Sequence, residues 1–131
     1  MNKVFKVGLI GCGHIAETYF RGHQYFNNFK IVACADINQK AADRCAKLYN
    51  IKSTSVRSLL KDKEIEVILN LTIPQAHYSV SKKVLNAGKH VYSEKPLATQ
   101  FQKGKELVNL AKRKKLYIGN APDTFLGGGG Q

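Results

Sequence analysis

Residues 11–16 read Gly-Cys-Gly-His-Ile-Ala, and Asp36 stands 20 residues after the last of them. Gly-x-Gly-x-x-Ala between a run of β-formers and a helical pattern is a dinucleotide-binding arrangement, with Ala in its final place. Gly11 permits a tight turn, and Gly13 lets backbone N–H groups come close to a pyrophosphate. Ala16 lets the following helix lie near the strand. A diphosphate would then rest on the helix N-terminus, where unpaired N–H groups and the positive dipole end favour anions. Cys12, His14 and Ile15 fill the intervening places, where backbone matters more than side chain. Asp36 at the end of the next strand can accept both ribose hydroxyls of NAD and repels a 2′-phosphate. The nearest cations are Lys40 and Arg44. The expected cofactor is therefore NAD in preference to NADP, with use of NADP open. The competing reading is a glycine-rich turn that binds nothing, and the offset to Asp36 weighs against it.

Elements follow from the periodicity around these residues. Residues 4–10 form a first strand, and Ile15, Tyr19, Phe20 and His23 mark one face of a helix ending near Asn27 and Asn28. The stretch 29–36 is apolar almost throughout, as a parallel strand covered on both faces requires. Asn38 is placed to cap a helix whose apolar positions are Ala41, Cys45 and Leu48. A short strand within 51–55 and a short helix around Val56, Leu59 and Leu60 come next. Residues 67–71 read as a strand that breaks at Thr72-Ile73-Pro74. The next helix turns Val80, Val84 and Leu85 inward and stops at Gly88, a left-handed cap. A strand over 90–93 ends in Glu94-Lys95-Pro96. Thr99 and Gln102 form a capping box for a helix carrying Leu107, Val108, Leu110 and Ala111, and 116–119 is the last strand.

Strands alternating with helices predict an α/β Rossmann-type fold, a doubly wound parallel sheet of about six strands with helices on both faces. Ligands of such sheets sit beyond the carboxyl ends of the strands. Gly11 to Ile15, Asp36, Thr72, Pro74, His77, Glu94, Lys95 and Asn120 all follow those ends and should converge on one crevice. Residues 1–120 are read as this domain.

Bulk properties narrow the classes. The chain has 131 residues and a net charge of +12, enough to raise nucleic acid as a partner. Its lysines are scattered along helices rather than interleaved with aromatics. The dense run Lys112-Arg113-Lys114-Lys115 falls at a helix end, where cations suit the dipole. A solvated basic surface that also attracts an anionic cofactor is the preferred reading, without nucleic acid. No secretory leader and no apolar run of membrane-spanning length is present, so a cytoplasmic protein is expected. Cys12, Cys34 and Cys45 show no metal-ligand spacing and are expected to be reduced thiols in or near the core, with no metal site.

Taken together, Gly11-x-Gly13-x-x-Ala16, Asp36, Thr72-x-Pro74-x-x-His77, Gly88-Lys89-His90-Val91 and Glu94-Lys95-Pro96 resemble the N-terminal domain of the glucose–fructose oxidoreductase/inositol dehydrogenase/MocA (Gfo/Idh/MocA) family. Residues 121–127, Ala-Pro-Asp-Thr-Phe-Leu-Gly, are similar to the hinge segment of part of that family. Glu-Lys-Pro is far more specific than the glycine motif. The resemblance covers essentially the whole chain. It implies an NAD(P)-dependent oxidoreductase acting on a sugar, inositol or related polyol, with 121–131 leading to a substrate domain that this chain lacks. It also implies a homo-oligomer at full length.

Within that resemblance Lys95 is the expected catalytic residue, because a carbinol that gives up hydride must also lose its hydroxyl proton or be held as an alkoxide. A cis Lys95–Pro96 bond is expected as well. Glu94 would orient Lys95 or hydrogen-bond the ribose, while Thr72 and Pro74 would border the nicotinamide half. His77 would line the site without acting as an acid or base, and His23 and His90 are read as structural. Two other classes stay in view. A non-catalytic dinucleotide sensor would keep working after Lys95→Ala in the intact protein. A nucleic-acid binder would lose affinity steeply with salt and would not depend on Gly13.

Overall fold

A computed structural model describes residues 3–122. Among the described residues six strands form one parallel sheet: β1 (Phe5–Ile10), β2 (Phe29–Ala35), β3 (Lys52–Ser53), β4 (Val67–Asn70), β5 (His90–Ser93) and β6 (Ile118–Asn120). Five helices join them: α1 (His14–His23), α2 (Gln39–Tyr49), α3 (Val56–Lys61), α4 (Pro74–Asn86) and α5 (Phe101–Lys114). The strand order β3-β2-β1-β4-β5-β6 is that of the doubly wound dinucleotide-binding sheet. It reverses direction between β1 and β4, so the loops after β1 and β4 diverge to opposite faces and open a crevice.

Alternate side chains of the strands feed two cores. Val7, Leu9, Ile31, Cys34 and Leu69 pack against Ala16 and Phe20 of α1 and Ala42, Cys45 and Ala46 of α2. On the other face Ile10, Ala33, Ile68 and Val91 meet Leu59 of α3, Val84 and Leu85 of α4, and Leu107 and Ala111 of α5. Gly8 belongs to this second face. A Cβ there would stand 2.9 Å from Ile68 Cδ1 and 3.0 Å from Leu59 Cδ1, so the tips of those two side chains would have to shift to admit it. On the first face Phe20 stacks on Tyr49 with ring centroids 3.9 Å apart, joining α1 to α2. Beside α1 the sheet carries an apolar hollow lined by Val7, Tyr19, Phe29, Val67, Leu69 and Tyr92.

The caps expected at Asn38 and Gly88 form, and Ser55 and Pro74, not expected as helix starts, open α3 and α4. Asn38 Oδ1 accepts the backbone N–H groups of Lys40 and Ala41, and Ser55 Oγ accepts that of Ser58. Gly88 has φ +77°, and Pro74 opens α4. Elsewhere packing shifts the boundaries. The buried stripe of α2 is Ala42, Cys45 and Ala46, whereas Leu48 is 74% exposed, because small residues let that helix approach the sheet closely. The proposed capping box is absent: α5 starts at Phe101 after an extended Gln100, and its N-cap makes no side-chain bond. Thr99 and Gln100 form a bend ahead of the helix instead. Helix α1 stops at His23, where turn bonds from Tyr25 to Gly22 and from Phe26 to His23 replace helical pairing. The last strand begins at Ile118, since Lys115 in a left-handed conformation ends α5 and 116–117 return the chain to the sheet. Of the segment 121–131, residues 123–131 lie outside the described residues.

Candidate functional site

Gly11 to Ile15, Asp36, Thr72, Pro74, Glu94 and Lys95 follow the carboxyl ends of β1, β2, β4 and β5, while His77 lies one turn into α4 and Asn120 is the last residue of β6. After β1 the chain turns at Gly11 with φ +103°, and its N–H donates to Ala35 O of β2 at 2.9 Å. A Cβ at Gly11 would lie 2.5 Å from the backbone of Leu71, so both space and conformation require glycine. Gly13 differs. It is the N-cap of α1 with φ −83°, and a Cβ there would meet nothing within 4 Å. The protein interior makes no demand on that position, which borders open space. α1 also has no side-chain cap bond, a feature it shares with α4 and α5, whereas α2 and α3 are capped by Asn38 and Ser55. An uncapped N-terminus facing open space fits an anionic diphosphate. His14 and Ile15 are exposed at its start.

Asp36 follows β2 and is half-buried. Its Oδ2 accepts the backbone N–H of Cys12 at 2.8 Å, and its Oδ1 accepts that of Asn38, also at 2.8 Å. The carboxylate thus joins the phosphate turn to the β2–α2 turn, and each oxygen keeps lone pairs for further donors.

The β4 and β5 ends are joined by side chains that linear reasoning undervalued. Asn70 is fully buried at the end of β4. Its Nδ2 donates to His77 O and to Ser81 Oγ, and its Oδ1 accepts from Thr72 Oγ1 at 2.7 Å and Thr72 N at 3.3 Å. The Thr72 hydroxyl is therefore turned back onto Asn70. Pro74 is exposed at the first turn of α4. His77 is 1% exposed, and its ring spans two loops, with Nε2 2.7 Å from Thr72 O and Nδ1 2.5 Å from Pro96 O. It shapes the crevice from behind, as a clamp between the Thr72 and Pro96 loops.

Glu94 N donates to Asn70 O across the sheet. Its carboxylate accepts from Tyr19 Oη at 2.9 Å and from the Lys95 backbone N–H at 3.3 Å. Burial, and secondly the Glu94 carboxylate, push the Tyr19 phenol above its ordinary value, so it stays a donor. Glu94 is thus held against α1 rather than free to turn. Lys95 is exposed, and its bond to Pro96 is cis, as expected. Asn120 Nδ2 donates to Ser93 O and Glu94 O, tying β6 to the same corner. His23 and His90 bond to Phe20 O and to Tyr117 N, in keeping with structural roles. Lys89 works at the opposite end of the sheet, where its ammonium donates to Asp62 O and Ile65 O.

The three cysteines, which lie far apart in sequence, converge. Cys12, Cys34 and Cys45 have sulfurs within 4.8 Å of one another. Their spacing gives no sign of this, because the fold folds a turn, a strand and a helix onto one point.

Fold and site together define a dinucleotide-binding α/β domain: this strand order, a glycine turn onto an uncapped helix and an acidic residue at the second strand end. The chain belongs to the Gfo/Idh/MocA oxidoreductase family, described as having an NAD-binding Rossmann fold, whose sequence pattern matches residues 5–121. It is 38% identical over 96 residues to an uncharacterized oxidoreductase of Schizosaccharomyces pombe, covering 70% of this chain and 26% of that protein. It is 30% identical over 119 residues to an inositol 2-dehydrogenase/D-chiro-inositol 3-dehydrogenase of Lacticaseibacillus casei, covering 86% of this chain and 34% of that one. Among solved structures, biliverdin reductase from Synechocystis in complex with biliverdin and NADP+ superposes with a TM-score of 0.85 at 29% identity. That likeness covers 94% of this chain and 39% of the reductase. The chain thus spans 26–39% of the length of these relatives, and it is an NAD(P)-binding Rossmann domain of this family. Among the described residues no helix is long and apolar enough to cross a membrane.

Proposed function

We propose that this chain is the cofactor half of an NAD(P)-dependent dehydrogenase acting on a sugar, inositol or related polyol. The observation that carries the reading is the gathering of Gly11–Gly13, Asp36, Thr72 and Glu94–Pro96 at the carboxyl ends of β1, β2, β4 and β5, in a chain of this family. The L. casei relative's name supports the substrate class. Residues 1–120 form the cofactor domain, and 121–131 are the hinge toward a substrate domain that lines the rest of the crevice.

When bound, the nicotinamide supplies a hydride acceptor. The chain's own residues do the remainder. The first-turn N–H groups of α1, with the backbone of Cys12, His14 and Ile15, hold the diphosphate, and Gly13 leaves room for it. Asp36 accepts the ribose hydroxyls and disfavours a 2′-phosphate, so NAD is preferred to NADP. Lys95 faces the carbinol, takes up its proton or stabilises the alkoxide, and is oriented through the Glu94 carboxylate beside it. Thr72, Pro74 and Asn120 border the nicotinamide half, with His77 behind them. The intact protein is a cytoplasmic homo-oligomer, its subunits joined largely through the second domain.

Calorimetric titration of the chain with NADH and, separately, NADPH tests the reading. Saturable binding of NADH, tighter than NADPH and weakened by Asp36→Ala, is the expected result. Tighter NADPH binding would overturn the cofactor preference. This domain alone is expected to show little or no turnover of polyols. A non-catalytic sensor is the second reading, and Lys95→Ala in the intact protein separates the two.

A further inference from the structure

Cys12 lies in the turn after β1, Cys34 in β2 beside Leu9 of β1, and Cys45 on the inward face of α2. Cys34 is fully buried and Cys45 is 7% exposed, while Cys12 is half-buried. With all three sulfurs inside 4.8 Å of one another, we infer that they form a three-sulfur site for a single soft, monovalent ion of the copper(I) class.

Geometry makes this a small adjustment. Metal–sulfur bonds of ~2.3 Å set three sulfurs around one ion ~4.0 Å apart, so the cluster contracts by less than about 1 Å. The donor set selects the ion. Zinc favours four ligands in a tetrahedron, and among the described residues the group holds three sulfurs with no histidine or carboxylate joined to it. Soft thiolates in a three-coordinate set suit copper(I) instead. There is an entry path as well: a cleft between α1 and α2 is lined by Cys12, Cys45, Gly13, Ala41, Arg44 and Tyr49, so two of the three cysteines border it.

Binding is a proton-for-metal exchange without electron transfer. Three S–H bonds give their protons to solvent, and three copper–sulfur bonds form. Two weak sulfur contacts are surrendered, from Cys12 to Ala35 O at 3.7 Å and from Cys34 to Ala42 O at 3.4 Å. The site stands on the chain's own sulfurs and does not rest on the dehydrogenase reading.

Anaerobic titration of the reduced 131-residue chain against a chromogenic copper(I) chelator measures uptake. One copper(I) per chain is expected. Cys34→Ser, checked for fold by circular dichroism, should lower the affinity by about a hundredfold or more, since even an outer partner of a metal ligand is worth ~10–100-fold. X-ray absorption on the loaded wild-type chain needs no variant and should show three sulfurs at ~2.3 Å. Copper that stays with the chelator, a two-sulfur or nitrogen/oxygen shell, or a folded Cys34→Ser chain that keeps its copper would each overturn the site.

Discussion

Asp36 Oδ2 accepts the backbone N–H of Cys12 at 2.8 Å, so the residue read as a ribose acceptor also buttresses the phosphate turn. Both tasks fall on one carboxylate because parallel β1 and β2 end side by side, with Ile10 opposite Ala35. Asp36→Ala should raise the NADH dissociation constant by roughly 10–100-fold, about 1.4–2.7 kcal/mol, since a charge-assisted acceptor and the turn's support go together. Calorimetry reads it directly. NADPH affinity should change less, narrowing the preference, and an unaltered NADH constant would remove Asp36 from the site.

The two fingerprint glycines should separate stability from binding. Gly11→Ala forces a Cβ against the Leu71 backbone at φ +103° and should cost about 2–3 kcal/mol or more in denaturant unfolding. Gly13→Ala meets no neighbour, so stability should stay within about 0.5 kcal/mol or rise slightly. Its NADH affinity should nevertheless fall. Equal destabilisation by both would contradict the open space seen at Gly13.

His77 and Asn70 are expected to be stability residues. His77→Ala removes the one N–H that a neutral ring donates to Thr72 O or Pro96 O and empties a buried position, at a cost of about 3 kcal/mol. Asn70→Ala should cost about 2 kcal/mol or more by releasing Thr72 and Ser81. Urea midpoints test both. Wild-type midpoints would show that the β4 and β5 loops hold their places without these side chains.

Lys95 should behave oppositely. It is exposed, so Lys95→Ala should leave the chain's stability within about 0.5 kcal/mol. In the intact protein the same change should lower kcat by roughly 10²–10⁴ if the lysine handles the carbinol proton. Undiminished turnover would exclude that role.

The Tyr19–Glu94 contact gives a pH signature. The Tyr19 phenol is raised from its ordinary 10.0 by burial and then by Glu94. A raised folded value contributes stability that is full below the unfolded value and is lost as pH climbs from about 10 through the folded value. Tyr49 and Tyr92 shift the same way, mainly through burial. Tyr19→Phe should cost about 1 kcal/mol near neutrality and flatten the alkaline fall of thermal stability. An unchanged alkaline slope would count against the contact.

How much could be read before folding differs between elements and site. Periodicity and end signals were enough for the alternation of strand and helix. An almost wholly apolar 29–35 reads as a strand buried on both faces, and Pro74, Asn38 and Gly88 act through their own backbone geometry. The glycine turn and the offset to Asp36 are local too, which is why cofactor class and fold were legible in one dimension. What required three dimensions is everything set by contacts between distant segments. Which face of α2 goes inward depends on the sheet it meets, so Leu48 is outside and Ala42 inside. The roles of Asn70 and His77 depend on two loops being neighbours, because a polar group deep in the protein takes whatever partner the fold brings. The meeting of Cys12, Cys34 and Cys45 has the same origin: no spacing rule reaches from a turn through a strand to a helix, and only the parallel register and the seating of α2 bring the three sulfurs together.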